Sequence, residues 1–332
     1  MTTDSPMLPI RLPEAPGLLF RPMAGADAQA WLALVRRIAQ ADVAPWHEQL
    51  SDLLEVLESA VNPAAHNTVA GFDVDGVLAA YGYVSKNPAS LVGYAFGGVD
   101  PSLRRQGIGS AILAWQREVL GKRSEADGQA AAVVRSYVQK MTPGHAKLLR
   151  AVGFAPVRTF TELARGLDDV PAAPPLQGVR VVAFTAEYAE AVRLAHNEAF
   201  ADHWGSEPRT VTKWASLLTH ENFRPEWSSL AVDDTTGEVA GYQISMFDPT
   251  VEDASGFKDG YTELLGVRRA WRGRGLAPAL LIDAMARYAA AGMERACLDV
   301  DTENPSGAVA LYERLGYRPL PGRQSVAWDL AR

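Results

Sequence analysis

Apolar residues recur along this chain with two periods, one of about two residues and one of about 3.6, and the order of those periods occurs twice. The first occurrence opens on GLLFRPM, read as a strand. AQAWLALVRRIA follows with apolar positions on one helical face and Asp27 placed to cap it. After Trp46, HEQLSDLLEVLESA reads as a second helix. NTVAGFDVDGVLAAYGYVS sets apolar strands on either side of an Asp75-Gly76 turn, which is a hairpin signal. A strand, LVGYAFGGV, then meets RRQGIG and the helical run AILAWQREVL, and AAVVRSYV and HAKLLRAVGF read as a strand and a helix.

The second occurrence restarts at VRVVAF. It continues through the helix AEYAEAVRLAHNEAF, the connection ADHWGSEPR and a helix from Thr210 to about His220. SSLAVDDTTGEVAGYQISMF is a hairpin turning at Asp234 to Gly237, and DPTVEDASGFKDG reads as a long polar loop. TELLGVRR is then an apolar strand and AWRGRGLA a glycine and arginine loop. PALLIDAMARYAAA is a helix whose buried face carries Leu280, Leu281, Ala284, Met285 and Tyr288. ACLDVD as a strand, a helix containing Tyr312 and the closing strand RQSVAWDL complete it.

The two occurrences are in register. Arg104, Gly107 and Gly109 stand 168 positions before Arg272, Gly275 and Ala277, and Gly153 stands 163 before Gly316. Between them DDVPAAPPLQG clusters prolines that continue neither helix nor strand. The reading is therefore an N-terminal domain over 1–167, a Pro-rich linker over 168–178 and a C-terminal domain over 179–332.

A glycine loop that opens a helix leaves backbone N–H groups converging at the positive end of the helix dipole, which makes an anion site. Gly273 and Gly275 let the main chain approach a phosphate, and Arg272 and Arg274 add charge. A surface turn made soluble by two arginines is the plainer alternative. The loop lacks the Lys-Ser/Thr ending of a P-loop and is not a GxGxxG fingerprint.

The spacing R/Q-x-x-G-x-G/A over Arg272, Gly275 and Ala277, followed downstream by Asn304, Tyr312 and Gly316-Tyr317, resembles the GNAT acetyltransferase superfamily. That resemblance implies an α/β (α+β) fold class: two tandem GNAT folds, each a mixed, mostly antiparallel sheet flanked by helices, with two strands splayed apart. It also implies acetyl-CoA as acyl donor, bound by its pyrophosphate at residues 272–277, Leu276 included, and by main-chain groups of Leu265 and Val267, with Asn304 against the pantetheine arm. The acceptor it implies is the primary amine of a small molecule, attacked directly in a ternary complex.

Within that frame Tyr312 stands where the family has the tyrosine that protonates the departing thiolate; it also reads as a tyrosine packed on the sheet. Glu263 stands where relatives carry the carboxylate that takes the amine's proton, and reads equally as a solvated strand acid. Asn304 also reads as a cap or turn residue before Pro305. Asp299 and Asp301, two apart on one strand, point to one face and read as a seat for a cationic acceptor or as solvated acids at a strand end. In HNEAFADHWGSEPR, His196, Asp202, His203 and Trp204 read as a packed loop or as the wall of an acceptor pocket, and the stretch resembles the mycothiol synthase family, itself tandem GNAT. Spacing argues against a metal there.

The first copy has Ala95, Met141 and Leu149 at the places of Glu263, Asn304 and Tyr312. It is expected to be catalytically degenerate, while Val99, Arg104, Gly107 and Gly109 still suit a second CoA. Retention in one copy favours an enzyme over the alternative, a non-catalytic CoA-binding or regulatory module. A longer acyl donor stays open.

Composition narrows the partners. A net charge of -7 and a pI near 5.5 speak against nucleic acid and anionic membranes. The N-terminus shows no signal peptide and no apolar run reaches spanning length. One cysteine, Cys297, read as a small buried hydrophobe, excludes an internal disulfide and fits a reducing cytoplasm. Monomer and homodimer are equally compatible with this sequence.

Overall fold

The computed structural model describes residues 10–44, 46–129, 132–304 and 307–331. Its contacts divide the chain into two compact units, Met1–Arg158 with Ser325–Arg332, and Thr159–Gln324. Residues 168–178, expected as a linker, thus belong to the second unit.

The first unit is a sheet of β1 (Leu19–Arg21), β2 (Thr68–Phe72), β3 (Leu78–Ser85), β4 (Val92–Val99) and β5 (Val133–Gln139), in that order. Its sixth member is residues 325–331 of β12 (Arg318–Ala331), antiparallel to β5. Helices α1 (Ala28–Asp42), α2 (Leu50–Leu57), α3 (Ala64–Asn67), α4 (Ile108–Ala126) and α5 (Pro143–Ala151) cover it. Trp31, Leu34 and Leu53 fill one core cluster and Ile112, Val119, Leu149 and Trp328 another. Asp27 does not cap α1 directly as expected. It closes a short 3-10 turn, Gly25–Asp27, at the N-cap position, and the Asp27 carboxylate accepts from the Ala24 N–H at 2.8 Å and from Arg21 at 2.7 Å in place of the α1 N–H groups.

The second unit orders its strands β7 (Val179–Ala183), β8 (Ser229–Asp233), β9 (Val239–Met246), β10 (Asp259–Val267) and β11 (Arg295–Asp301). Residues 160–166 of β6 (Ala155–Gly166) then pair antiparallel with β11. β6 ends the first repeat in sequence, yet this part of it completes the second sheet, just as the last strand of the second repeat completes the first. The helices are α6 (Ala189–Ala199), α7 (Val211–Thr219), α8 (Thr250–Ser255), α9 (Leu276–Ala290) and α10 (Ala308–Arg314). α8 lies where a polar loop was expected; a helix of 6 residues leaves no periodic stripe to read.

α9 is pinned by a buried polar network. The Tyr288 hydroxyl lies 2.8 Å from Ser245 Oγ and 3.2 Å from Thr262 Oγ1, and accepts from Gln243 Nε2 at 3.1 Å. Cys297 is fully buried. Among the described residues no helix is long and apolar enough to cross a membrane.

Among the described residues each unit has a parallel pair that parts along its length. β10 and β11 stay in register from Asp259↔Arg295 to Thr262↔Leu298. β4 and β5 do so from Val92↔Val133 to Tyr94↔Arg135. Tyr94 is 168 positions before Thr262 and Arg135 is 163 before Leu298, so the two sheets open at the same place in the repeat.

Candidate active site

The opening between β10 and β11 ends, on the β10 side, at the glycine loop. Gly273 (φ 76°) and Gly275 (φ 83°) both take left-handed backbone that other residues adopt at a cost, and Gly275 is the N-cap of α9. The first-turn N–H groups of α9 have no acceptor within the helix and point out of it. Arg272 is less available than expected: its Nε donates to the Val267 carbonyl at 3.2 Å and its Nη2 to the Ala199 carbonyl at 2.9 Å. It braces the turn, while Arg274 is exposed beside it. Arg104 repeats the brace in the first unit, donating from Nε to the Val99 carbonyl at 3.3 Å and pairing with Asp42 at 2.6 Å. Pro174 and Leu176 pass close by Gly275, within 3.9 Å of where its Cβ would lie.

Beyond Thr262, β10 is paired on its β9 side, with Leu265 opposite Gln243 and Val267 opposite Gly241. Glu263 falls at a register shift between Thr262 and Leu264, a bulge that carries its exposed side chain out of the regular alternation.

Tyr312 sits on α10, 8% exposed, its ring edge-on to Tyr317 at 5.9 Å, and burial pushes its phenol up to about 12. Asn304 follows β11, its N–H donating to the Asp301 carbonyl at 3.1 Å. Asp301 is buried and its carboxylate accepts from the Glu303 N–H at 2.9 Å, which ties it to this turn. Asp299, its expected companion, accepts from the Tyr261 hydroxyl at 3.0 Å, and burial raises its pKa.

The α6–α7 connection divides by residue. His196 is core: 2% exposed, its Nδ1 is 2.6 Å from the Tyr242 hydroxyl, and burial lowers its pKa to about 4. Asp202 is ion-paired with Arg269 at the surface. His203 is bound through Nδ1 to the Trp204 carbonyl at 3.1 Å. Trp204 stacks at a tilt on Phe160, 6.3 Å between ring centroids, and Phe160 is the register partner of Asp301.

Three residues here escaped sequence reasoning. Glu162 on β6 is the register partner of Asp299 and lies 3.4 Å from Arg323. Burial raises its pKa to about 7, against the opposing pull of Arg323 and with a further push from Asp299. Tyr261 donates to Asp299 Oδ2 at 3.0 Å, and burial first, then the carboxylates of Asp299, Glu263 and Glu162, hold its phenol protonated. The third, His145, lines the corresponding opening of the first unit with Gly97, Val99, Gly109 and Ser136. Burial lowers the His145 pKa to about 4. Only for β6 was a signal present, in the alternation of VRTFTELA.

A strand pair that parts beside a glycine-opened helix is the arrangement that the resemblance to GNAT acetyltransferases implies. The acetyltransferase (GNAT) family matches residues 189–317. The mycothiol acetyltransferase of Salinispora arenicola (strain CNS-205) is 32% identical over 292 residues, covering 86% of this chain and 88% of that protein. The chain belongs to the GNAT acetyltransferase family. The mycothiol acetyltransferase of Thermobispora bispora is also similar, 30% identical over 88% of this chain and 92% of its own. Among solved GNAT structures, a GCN5-related N-acetyltransferase from Sphaerobacter thermophilus superposes with a TM-score of 0.73 at 27% identity, covering 97% of both chains. The tandem GNAT protein of the clavulanic acid biosynthesis pathway shares the fold over 95% of this chain and 98% of its own, at TM-score 0.65 and 20% identity.

Proposed function

We propose that this acetyltransferase moves an acetyl group from acetyl-CoA to the primary amine of a small molecule by direct attack, and that the C-terminal unit is the one that turns over. The parting of β10 from β11 after Thr262 and Leu298, beside the opened end of α9, carries the reading. The α9 N–H groups and Gly273, Arg274, Gly275, Leu276 and Ala277 grip the diphosphate, with Arg272 holding the turn in shape. Main-chain groups of Leu265 and Val267 pair with the pantetheine arm, and Asn304 contacts it from β11's end.

Glu263 takes the amine's proton as nitrogen attacks the thioester carbonyl; the C–S bond then breaks and Tyr312 protonates the leaving sulfur. A phenol raised to about 12 stays protonated at neutral pH, as a donor must. Trp204 and Asp202 border the acceptor, with His203 and Asp301 holding the turns behind them. The first unit, with Leu149 and Ala95 at the places of Tyr312 and Glu263, holds a ligand without turnover at Val99, Arg104, Gly107 and Gly109.

The names of the similar mycothiol acetyltransferases favour an acceptor of the mycothiol type as the second, narrower reading. Thiol release from acetyl-CoA across a panel of primary amines, with Tyr312→Phe beside the parent, tests the assignment. We expect a fall in kcat of about a hundredfold with CoA binding kept. Equal rates would remove Tyr312 from the chemistry, and binding without release in the parent for every amine would favour a CoA-binding module.

A further inference from the structure

A side-chain bar crosses the narrow end of the opening. β10 and β11 part after Thr262 and Leu298, and there the Tyr261 hydroxyl of β10 donates to Asp299 Oδ2 of β11 at 3.0 Å. Both ends of the bar stand on fixed backbone. Tyr261 is in register with Met246 on one side and Cys297 on the other, and Asp299 with Glu162. The Thr262 hydroxyl meets that of Tyr288 on α9, so Tyr261, its neighbour, projects from the other face of the sheet. Burial, and then the carboxylates of Asp299, Glu263 and Glu162, keep the phenol protonated, so the bar persists at neutral pH.

A second crossing lies on the same face. Asp202 is tied to Arg269 just past β10, and Trp204, two residues on, rests on Phe160 of β6, 6.3 Å between ring centroids. Phe160 is the register partner of Asp301 as Glu162 is of Asp299, so the two crossings stand about 7 Å apart along β11. With the diphosphate at the glycine loop and the donor's arm on Val267 and Leu265, the thioester comes to Glu263, and the next residues of β10 in that direction are Thr262 and Tyr261. Each methylene added to the acyl group therefore extends it toward the bar, in a window that the attacking nitrogen must share.

We propose that the Tyr261–Asp299 bar is the stop for the donor's acyl group, which makes Tyr261 a specificity-determining residue: acetyl ends short of the ring and butyryl runs into it. This rests on the opening being the acetyl-transfer site, and it names the element that limits the donor there. Glu162, across the ladder from Asp299 and 3.4 Å from Arg323, backs the bar from β6.

Calorimetry with acetyl-CoA and butyryl-CoA, each measured against free CoA on the same full-length protein, reads the stop without an acceptor. The parent should bind butyryl-CoA about tenfold or more weaker than acetyl-CoA, the scale on which a closed pocket rejects added methylenes. Tyr261→Ala should remove that difference, and Tyr261→Phe, which keeps the ring and loses the bond, should lie between. A merely structural role would weaken all three ligands in proportion. That result, equal binding of acetyl-CoA and butyryl-CoA by the parent, or a difference that survives in Tyr261→Ala overturns the proposal. Gly275→Ala separates it from the reading beneath it. If that variant binds CoA as the parent does, the transfer site lies elsewhere and the bar falls with it, whereas weakened CoA without acyl discrimination strikes the bar alone.

Discussion

Gly266 lies directly beneath the ring of Tyr242: the two are register partners across β9 and β10, and a Cβ on Gly266 would stand 2.4 Å from the ring. Tyr81 lies over Gly98 in the same way across β3 and β4, with 2.7 Å left for a Cβ. In the second unit the ring has nowhere to go. Tyr242 is fully buried and its hydroxyl is bound 2.6 Å from His196.

Gly266→Ala should therefore destabilise the second unit by about 3 kcal/mol, the upper end for overpacking, because Tyr242 must leave its rotamer and break with His196. Urea unfolding measures it. Adding Tyr242→Phe, which frees the ring from His196, should recover part of the loss, and an unchanged midpoint in Gly266→Ala would contradict the packing described.

The repeated hairpins, the glycine loop and the α9 face were legible because each is written in a window of about ten to twenty residues. β6, and the pairing of the closing strand RQSVAWDL with the first sheet, were not, because the partners lie far off in sequence: Leu163 pairs with Leu298 and Val326 with Val138. Glu162 escaped for the same reason. It earns a role only opposite Asp299, and a repeat-by-repeat reading assigns it to the other half. His145 was missed because the offset compares single positions, and Leu149 alone was compared with Tyr312.

Glu162 also sets a pH dependence. Its pKa is about 7 in the fold against 4.5 for an ordinary glutamate, so the fold favours the protonated form. The stabilisation this brings is complete below about 4.5 and is lost as pH rises through about 7, at most about 3 kcal/mol. Glu162→Gln should lose less stability than the parent between pH 5 and 8. Unfolding free energies of the two proteins that run parallel over that range would contradict the burial of this carboxyl.

The glycine at the start of α9 predicts a binding effect separable from folding. At φ 83° Gly275 holds backbone that costs an alanine about 1–2 kcal/mol. Relief of that strain turns the first N–H groups of α9 away from a common centre. Gly275→Ala should weaken CoA about tenfold by calorimetry. Gly292→Ala, a left-handed glycine (φ 80°) just past the far end of the same helix, carries similar strain and should bind CoA as the parent does.

The exchange of strands predicts where the chain can be cut. A fragment of residues 179–332 keeps the glycine loop, Glu263, Asn304 and Tyr312, but loses β6. β11 would then present an unpaired edge over Arg295–Asp301 in place of its ladder with residues 160–166, and Leu163, one of the buried residues packed with Leu298 and Tyr312, would be gone. Exposed edges of this kind self-associate. That fragment should be insoluble or aggregated, whereas 159–324, which keeps all six strand contributions of the second unit, should give a dispersed amide spectrum and bind CoA. Adding residues 155–167 as a separate peptide to refolding 179–332 should restore solubility, and a peptide carrying Leu163→Asp should not. A soluble, CoA-binding 179–332 would mean that the second sheet closes without β6, and Glu162 could not then be a fixed part of its cleft.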